Sequence, residues 1–151
     1  MTGFASAMGP ALDLARAAAE AGEVPVGAVI TDSAGRIIAG AHNGTRTDRD
    51  PTAHAELLAI RAAAQALGSE RLAGCTLWVT LEPCAMCAGA ISHARLARLV
   101  YAAPDPKGGG VEHGARVFAQ PTCHHRPEVL AGIGEAEAAG LLRDFFAARR
   151  G

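Results

Sequence analysis

The chain has 151 residues, of which 50% are hydrophobic and only 4% aromatic, and its formal net charge is −1. This length is enough for one domain and too short for two ordinary ones, so we expect a single domain over residues 1–151. The small net charge excludes a general attraction to nucleic acid, and an RNA partner would have to be held by a local basic patch. The sequence has neither a signal-peptide pattern nor an apolar run long enough to cross a membrane, which predicts a cytoplasmic protein without a membrane partner.

The first predicted elements are a helix and a β-hairpin. The helix begins at Pro10 and ends at Gly22, and its small apolar residues recur at helical spacing. Two strands follow within residues 24–32 and 35–42, and the turn Asp-Ser-Ala-Gly between them is typical of an antiparallel hairpin.

A second helix is predicted after a polar loop, with Asp50 as its N-cap and Pro51 as its first residue. Apolar residues at helical spacing predict its core-facing side, which consists of Ala53, Leu57, Ile60, Ala64 and Leu67. His54 and Glu56 lie off this side and are two residues apart, so they would not bind one partner side by side. If both residues function, we expect them to have different roles.

The second half of the chain predicts two parallel strands with a crossover helix between them. The strands are expected within residues 75–81 and 96–103, and the helix begins near Pro83. Residues 104–127 are rich in Gly, Pro and His, and they predict a long irregular segment.

The C-terminal part predicts a short strand within residues 128–134 and a helix over residues 135–150. The helix carries an apolar stripe that would dock it onto the sheet, formed by Ala138, Leu141, Leu142, Phe145 and Phe146. Together the predicted elements indicate an α/β fold with a mixed sheet covered by helices on both faces.

The chemistry of the sequence is concentrated in a histidine and a pair of cysteines. Cys84 and Cys87 are three residues apart at the start of a helix, so both thiolates can point at one metal ion, and the helix N-terminus favours their negative charge. His54 adds a third ligand of the kind zinc prefers. Three protein ligands leave the fourth tetrahedral position open for water, which is typical of a catalytic site, and we expect one zinc ion per chain.

Glu56 supplies what such a site needs besides the metal. Zinc lowers the pKa of a bound water to roughly 7. A carboxylate beside the ion, but not bound to it, can take the water proton and deliver it to a ring nitrogen and then to a departing amine. The sequence therefore predicts that His54 holds the metal and Glu56 moves the proton.

Other interpretations of these residues stay open on sequence alone. A lone histidine is more often a helix cap or a core-edge residue, and a Cys-x-x-Cys pair can be a redox motif, although redox chemistry leaves Glu56 unexplained. A closed structural zinc site would need a fourth ligand, for which Cys75, His93 and Cys123 are the candidates. The run Cys123-His124-His125 could form a second metal site, but a polar loop is the commoner explanation.

The motifs carry a resemblance to a known family. His54-Ala-Glu56 followed by Pro83-Cys84-Ala-Met-Cys87 matches the H-x-E and P-C-x-x-C signature of zinc nucleobase deaminases. With "EVPVGAVI", "DPTAHAE", "TLWVTLEPCAMCAGAISHARL" and "LLRDFFAARR", the chain resembles the bacterial tRNA-specific adenosine deaminases over nearly its whole length. The resemblance implies a three-layer α/β/α sandwich of the cytidine deaminase type with a central mixed five-stranded sheet. It also implies a homodimer that converts the wobble adenosine of a tRNA anticodon stem-loop to inosine.

The resemblance also suggests roles for individual residues. Asn43 falls where the family contacts the flipped base, and Val26 and Gly27 would line the base pocket. The backbone amide of Cys84 would lie by the reacting amino group and the water. The remaining residues that it implies in substrate binding are Asp105, Lys107, Arg149 and Arg150.

The stretch after Lys107 departs from the family pattern, because "GGGVEHGARVFAQPTCHH" stands where a short Gly/Ala/Ser stretch is typical. In the family this region touches RNA and the dimer partner, so the substrate is the open question. The main alternative is a deaminase of a free nucleobase or nucleoside of the guanine or cytosine type. The other is a non-catalytic zinc-containing RNA-binding protein. Whatever the substrate, Arg143, Arg149 and Arg150 could be only a solvated helix end.

Overall fold

The centre of the molecule is a five-stranded sheet, seen in a computed structural model that describes residues 6–150. The strands are β1 (Gly27–Thr31), β2 (Ile37–His42), β3 (Thr76–Leu81), β4 (Arg98–Ala103) and β5 (Glu128–Ala131), in the order β2-β1-β3-β4-β5. β1 pairs antiparallel with β2 and β3, whereas β3, β4 and β5 run parallel. The predicted mixed five-stranded sheet, with its antiparallel hairpin and its parallel crossover, is therefore confirmed.

Four α-helices cover the two faces of this sheet. They are α1 (Met8–Glu20), α2 (Ala55–Leu67), α3 (Ala85–His93) and α4 (Glu135–Arg150), and a 3-10 turn spans Val117–Ala119. α1 and α4 pack on one face, around Val29, Trp78 and Val100. α2 and α3 lie on the opposite face. The arrangement is the three-layer α/β/α sandwich that the sequence predicts.

The start of helix α2 differs from the prediction. The helix begins at Ala55, and its N-cap is His54 rather than Asp50. The Asp50 carboxylate instead accepts hydrogen bonds from the backbone amide and the hydroxyl of Thr52, at 2.9 and 2.7 Å. These bonds stabilise a separate turn before the helix, because a short Asp side chain can bond the backbone two residues on as readily as it caps a helix.

The prediction for the buried side of α2 was partly wrong. Ala53 is buried and Ile60 and Ala64 pack against the core, as predicted, but the most buried side of the helix lies elsewhere. Its buried residues are Ala55, Glu56, Ala59 and Ala63, whereas Leu67 is 47% exposed. Alanines line the side that meets the sheet because a side chain of one methyl group lets the helix lie close to the strands. The hydrophobic pattern predicted the stripe of the helix next to these alanines, because that stripe contains the larger apolar residues.

The other boundaries move by only a few residues. α1 begins at Met8, whose backbone amide donates to Ser6 Oγ at 3.1 Å. α3 begins at Ala85, with Cys84 as its N-cap. α4 docks through Ala138, which is 1% exposed, whereas Phe146 at the end of the predicted stripe is 44% exposed and lies off the docking side. Within residues 6–150, no helix combines the length and the apolar character needed to span a membrane.

Gly27 lies where strand β1 passes closest to helix α1. A Cβ added at this residue would lie 2.1 Å from the Ala11 carbonyl oxygen and 2.6 Å from the Ala15 amide nitrogen, both of which are backbone atoms of α1. These separations are too short for any real contact, so only glycine fits. The side of Gly27 that faces α1 is therefore a packing surface.

We expect Gly27→Ala to lower the free energy of unfolding by about 1 to 3 kcal/mol, because the new methyl group overpacks the contact between α1 and β1. Urea unfolding followed by circular dichroism measures the change. Gly9→Ala is the matched control, since no atom lies within 4 Å of a Cβ added there. Because Gly9 is helical, this change should leave stability unchanged or raise it by up to about 1 kcal/mol, and should not lower it. A Gly27→Ala variant as stable as the wild type would contradict this account of the packing.

Candidate active site

The predicted functional residues converge on a cavity of about 340 Å³ beside the C-terminal ends of strands β3 and β4. The first residues of α2 and α3 meet at this cavity, and they place His54, Glu56 and Cys84 in its lining. His54 and Cys84 are both N-caps with extended backbone conformations, and neither side chain caps its own helix. Both side chains are therefore free to turn into the cavity.

Three side chains form a group that fits a metal ion. The Sγ atoms of Cys84 and Cys87 each lie 3.6 Å from His54 Nδ1, and the three candidate ligand atoms all lie within 4.8 Å of one another. Tetrahedral zinc with bonds of about 2.05 Å to nitrogen and 2.3 Å to sulfur would separate these two ligand types by about 3.6 Å. The donor set and its spacing thus fit zinc.

Among the described residues, no fourth protein ligand joins this group. Within residues 6–149, His54, Cys84 and Cys87 form the one cluster of three or more such side chains that could hold a metal. Cys75, His93 and Cys123, the candidates for a closed structural site, are not part of it. The arrangement therefore leaves one tetrahedral position for water or substrate.

Hydrogen bonding within the group shifts the proton affinities of its members. The hydrogen bond from the Cys87 thiol, followed by one from His54, lowers the pKa of Cys84 to about 4. The same contact with Cys84 raises the pKa of Cys87, and the Cys84 thiolate raises the pKa of His54. Cys84 is therefore the thiolate of the group, and Cys87 and His54 hold protons that stabilise its negative charge. A bound cation would replace those protons.

Glu56 lies in the same cavity but outside the metal-ligand group. Its side chain is buried, with the residue 4% exposed. Burial raises the pKa of the Glu56 carboxyl to about 7, although the neighbouring His54 opposes the shift. Both residues reach the cavity because His54 precedes the helix in an extended conformation, so the expectation that residues two apart on a helix diverge does not apply to them.

The predicted substrate residues divide into those that line the cavity and those that do not. Val26, Asn43 and Asp105 line it. Gly27 turns its Cα towards α1, on the other face of the sheet. Lys107 is exposed and is not part of the lining.

Of the two predicted C-terminal arginines, Arg149 is not part of the cavity lining. Arg149 Nη2 donates a hydrogen bond to the Gly22 carbonyl oxygen at 3.0 Å, and its guanidinium lies 4.2 Å from the centre of the Phe145 ring. With Arg46 it lines a separate shallow surface depression. Arg150 is the last residue of helix α4.

Sequence reasoning missed a buried glutamate that organises the loop carrying Asn43. Glu23 is 1% exposed, and its carboxylate accepts hydrogen bonds from the backbone amides of Arg46 and Thr47 and from the Thr47 hydroxyl, at 3.2, 2.7 and 2.7 Å. Burial alone would raise the pKa of Glu23, but these bonds outweigh it and lower the pKa. Glu23 therefore holds the loop against the base of the cavity.

A second missed glutamate, Glu82, lies between strand β3 and Cys84. Its side chain is fully buried, and it accepts five hydrogen bonds from residues 105–113. Burial opposes ionisation here too, yet these bonds lower the pKa of Glu82. The one sequence signal for both missed residues was a glutamate at the border of a predicted buried strand, and this signal alone does not identify a partner.

The Cys123-His124-His125 run stabilises its own segment. His125 Nε2 donates to the Leu96 carbonyl oxygen at 2.7 Å, and the Cys123 thiol donates to the carbonyl oxygen of His125 at 3.2 Å. Arg126 donates to the carbonyl oxygens of Phe118 and Gln120, at 2.6 and 2.8 Å. Among the described residues, this run does not form a second group of three metal-ligating side chains. The segment is irregular as predicted, and hydrogen bonds both hold it together and attach it to Leu96.

Comparison with known proteins agrees with this geometry. Residues 3–103 match the family model of the cytidine and deoxycytidylate deaminase zinc-binding region. The chain is 58% identical over 140 residues to a tRNA-specific adenosine deaminase of Agrobacterium fabrum, and the match covers 93% of this chain and 91% of the relative.

Solved structures show the same similarity. One comes from work on A-to-I editing by tRNA:A34 deaminases at the wobble position of transfer RNA; it is 58% identical, has a TM-score of 0.88, and the match covers 89% of this chain and 97% of that one. The guanine deaminase of Bacillus subtilis is 35% identical with a TM-score of 0.64, and its match covers 95% of this chain and 92% of that one. The chain therefore belongs to the zinc-binding cytidine and deoxycytidylate deaminase family and, within it, to the tRNA-specific adenosine deaminases.

Proposed function

We propose that this protein is a zinc-dependent hydrolase that converts adenosine to inosine at the wobble position of a tRNA. The observation that carries the proposal is Glu56, a buried carboxylate that shares a cavity with three zinc-type ligands without being one of them. A structural zinc site in a non-catalytic RNA-binding protein has no use for such a group. The 58% identity to a tRNA-specific adenosine deaminase supports tRNA as the substrate.

The metal would be held by His54, Cys84 and Cys87, with one zinc ion per chain. Two thiolates and a neutral imidazole match the charge of Zn²⁺ and its preference for sulfur and nitrogen. When bound, zinc lowers the pKa of a water molecule to about 7 and so supplies a nucleophile at neutral pH.

Glu56 would manage the protons of the reaction. Hydrolytic deamination adds the oxygen of water to the carbon that carries the amino group and releases that group as ammonia. Glu56 takes one proton from the water and passes it to the adjacent ring nitrogen. It then transfers the remaining proton of the added hydroxyl to the departing amine as the carbon–nitrogen bond breaks. A pKa of about 7 suits both steps, because the carboxyl can hold and release a proton at neutral pH.

The base would enter between the loop of Asn43 and the turn of Cys84. Asn43 is 8% exposed, and its side-chain amide makes no hydrogen bond to the described residues, so it can bond the edge of a base. Val26 supplies an apolar wall, and the Cys84 backbone amide would lie near the reacting amino group. Asp105 and Lys107 would contact the nucleotide from the other rim of the cavity.

The wider setting follows from the same proposal. The resemblance to the family leads us to propose a homodimer, and a tRNA substrate implies a cytoplasmic protein without a membrane partner. The C-terminal arginines Arg149 and Arg150 would then neutralise RNA phosphates rather than touch the reacting base.

The role of Glu56 predicts a loss of turnover without a loss of metal. Glu56→Gln keeps the size of the side chain but removes its proton transfer, so kcat should fall by at least about 100-fold while roughly one zinc per chain remains. Cys87→Ser should instead lower the zinc content itself. Elemental analysis and ammonia release measure the two effects, with the exposed Glu70→Gln as the control. A Glu56→Gln variant with substantial activity would refute the proposed role.

The main alternative is the same chemistry on a free base, which the similarity to guanine deaminase specifically favours. Ammonia release from the purified protein, offered an anticodon stem-loop, free nucleosides and free bases in parallel, separates the two functions. We expect release from the adenosine-containing stem-loop and none from guanine. Release from guanine with none from RNA would replace the proposed substrate.

The C-terminal arginines give a test of RNA binding that does not touch the chemistry. The double change of Arg149 and Arg150 to alanine should raise the KM for the stem-loop and leave the single-turnover rate at saturation nearly intact. It should also flatten log K against log salt by about one to two units, because each lost phosphate contact removes slightly less than one released counterion.

Two controls accompany this experiment. The thermal midpoint checks the fold, since Arg149 also donates to Gly22. Arg36→Ala changes an exposed arginine in the β1–β2 turn, at the opposite end of β1 from the cavity, and should leave the salt dependence unchanged. An unchanged salt slope and affinity in the double variant would remove this support for a tRNA substrate.

A further inference from the structure

The carboxylate of Glu82 is the most highly hydrogen-bonded side chain around the cavity. Its Oε1 accepts from the Asp105 amide at 2.9 Å and from His113 Nδ1 at 2.7 Å. Its Oε2 accepts from the amides of Val111, Glu112 and His113, at 3.1, 2.9 and 3.1 Å. All five donors belong to residues 105–113, so one buried side chain joins the end of strand β3 to a single loop.

This arrangement calls for a physical reason, because burying a carboxylate is costly unless polar partners replace its water. Glu82 has 0% side-chain exposure, and four of its five donors are backbone amides. Backbone amides can surround one carboxylate only if the chain curls around it. Glu82 therefore dictates the path of residues 105–113.

The loop that Glu82 holds lines part of the cavity and contacts the turn that contains Cys84. Asp105 and Gly108 line the cavity. The Gly110 amide donates to the Pro83 carbonyl oxygen at 2.8 Å, and a Cβ at Gly110 would lie 2.5 Å from the Ala85 amide nitrogen. The loop thus lies in contact with the residues on either side of Cys84.

His113 provides the one side-chain donor in this network. Its imidazole is 38% exposed and forms an ion pair with Glu82 when protonated. The residue is the last of the 105–113 loop, so both ends of the loop are tied to Glu82.

We infer that Glu82 and His113 are positioning residues, which hold Asp105 and the neighbouring residue Lys107 at the rim of the cavity where the substrate binds. The identity of that substrate rests on the proposed function, whereas the anchoring of the loop does not depend on it. Neither residue needs to touch the reacting atoms. Their effect should therefore be on substrate binding rather than on the chemical step.

Hydrogen exchange tests the anchoring without any substrate. Glu82→Gln places an amide group among the backbone donors, so exchange at Asp105 and at residues 111–113 should accelerate by about tenfold or more. The amides of Arg46 and Thr47, which are held by Glu23, serve as the internal control and should not change. Unchanged exchange in the 105–113 loop would overturn the inference, whatever substrate the enzyme proves to use.

Variants of His113 test the expected effect on substrate binding. They also provide the hydrogen-exchange test if Glu82→Gln does not fold. His113→Ala removes one of the five bonds, so it should accelerate exchange at Asp105. It should also raise KM about three- to tenfold for whichever substrate the wild type deaminates. Zinc content and the rate at saturation should stay within about twofold. His113→Asn, whose side-chain amide nitrogen can take the place of Nδ1, should restore KM.

The matched control is His124→Ala, which removes an exposed histidine of the same segment whose side chain is outside this network. It should leave KM and exchange at Asp105 unchanged. If His113→Asn behaves like His113→Ala, or if His113→Ala loses zinc or leaves KM unchanged, the positioning role is wrong. A wild-type protein that deaminates only a free base would overturn the proposed function instead, and the exchange result would still stand.

Discussion

The site depends on the meeting of two helix N-termini beside the C-terminal ends of strands β3 and β4. N-caps are usually Ser, Thr, Asp or Asn, whose side chains satisfy the free amides of the first turn. In α2 and α3 these positions are occupied by His54 and Cys84, and neither makes such a bond. Each helix gives up about 1 kcal/mol of capping, and in return two ligand side chains project into one cavity. The positive ends of the helix dipoles there also favour thiolates.

Three buried glutamates around the cavity show how environment decides the role of one residue type. Glu56 has a pKa raised to about 7, because burial outweighs its favourable contacts. Glu23 and Glu82 are equally buried, yet their pKa values are lowered. The Thr47 hydroxyl and two backbone amides donate to Glu23, and four backbone amides and His113 donate to Glu82. The first is therefore suited to moving protons, whereas the other two stay ionised and hold two loops that line the cavity.

The small residues of the chain make this geometry compact. Alanines on α2 let the helix that carries Glu56 lie against the sheet, and Gly27 lets α1 approach strand β1 on the opposite face. Gly109 and Gly110 allow the loop to close over Glu82 and the turn of Cys84, where a Cβ would lie 2.5 Å from neighbouring atoms. Close approach of backbones, rather than large aromatic side chains, positions the functional groups.

The sequence by itself determined the order of the elements and the mixed sheet, and it predicted the metal-ligand trio and the distinct role proposed for Glu56. These features follow from local periodicity and short motifs, which encode geometry over a few residues. Only the tertiary structure decided which side of α2 is buried, that Gly27 packs against α1, and that Glu82 anchors the loop ending at His113. The donors to Glu82 lie 23 to 31 residues away along the chain. A bond between such distant residues leaves no periodic trace in the sequence, because it depends on the path of the chain between them.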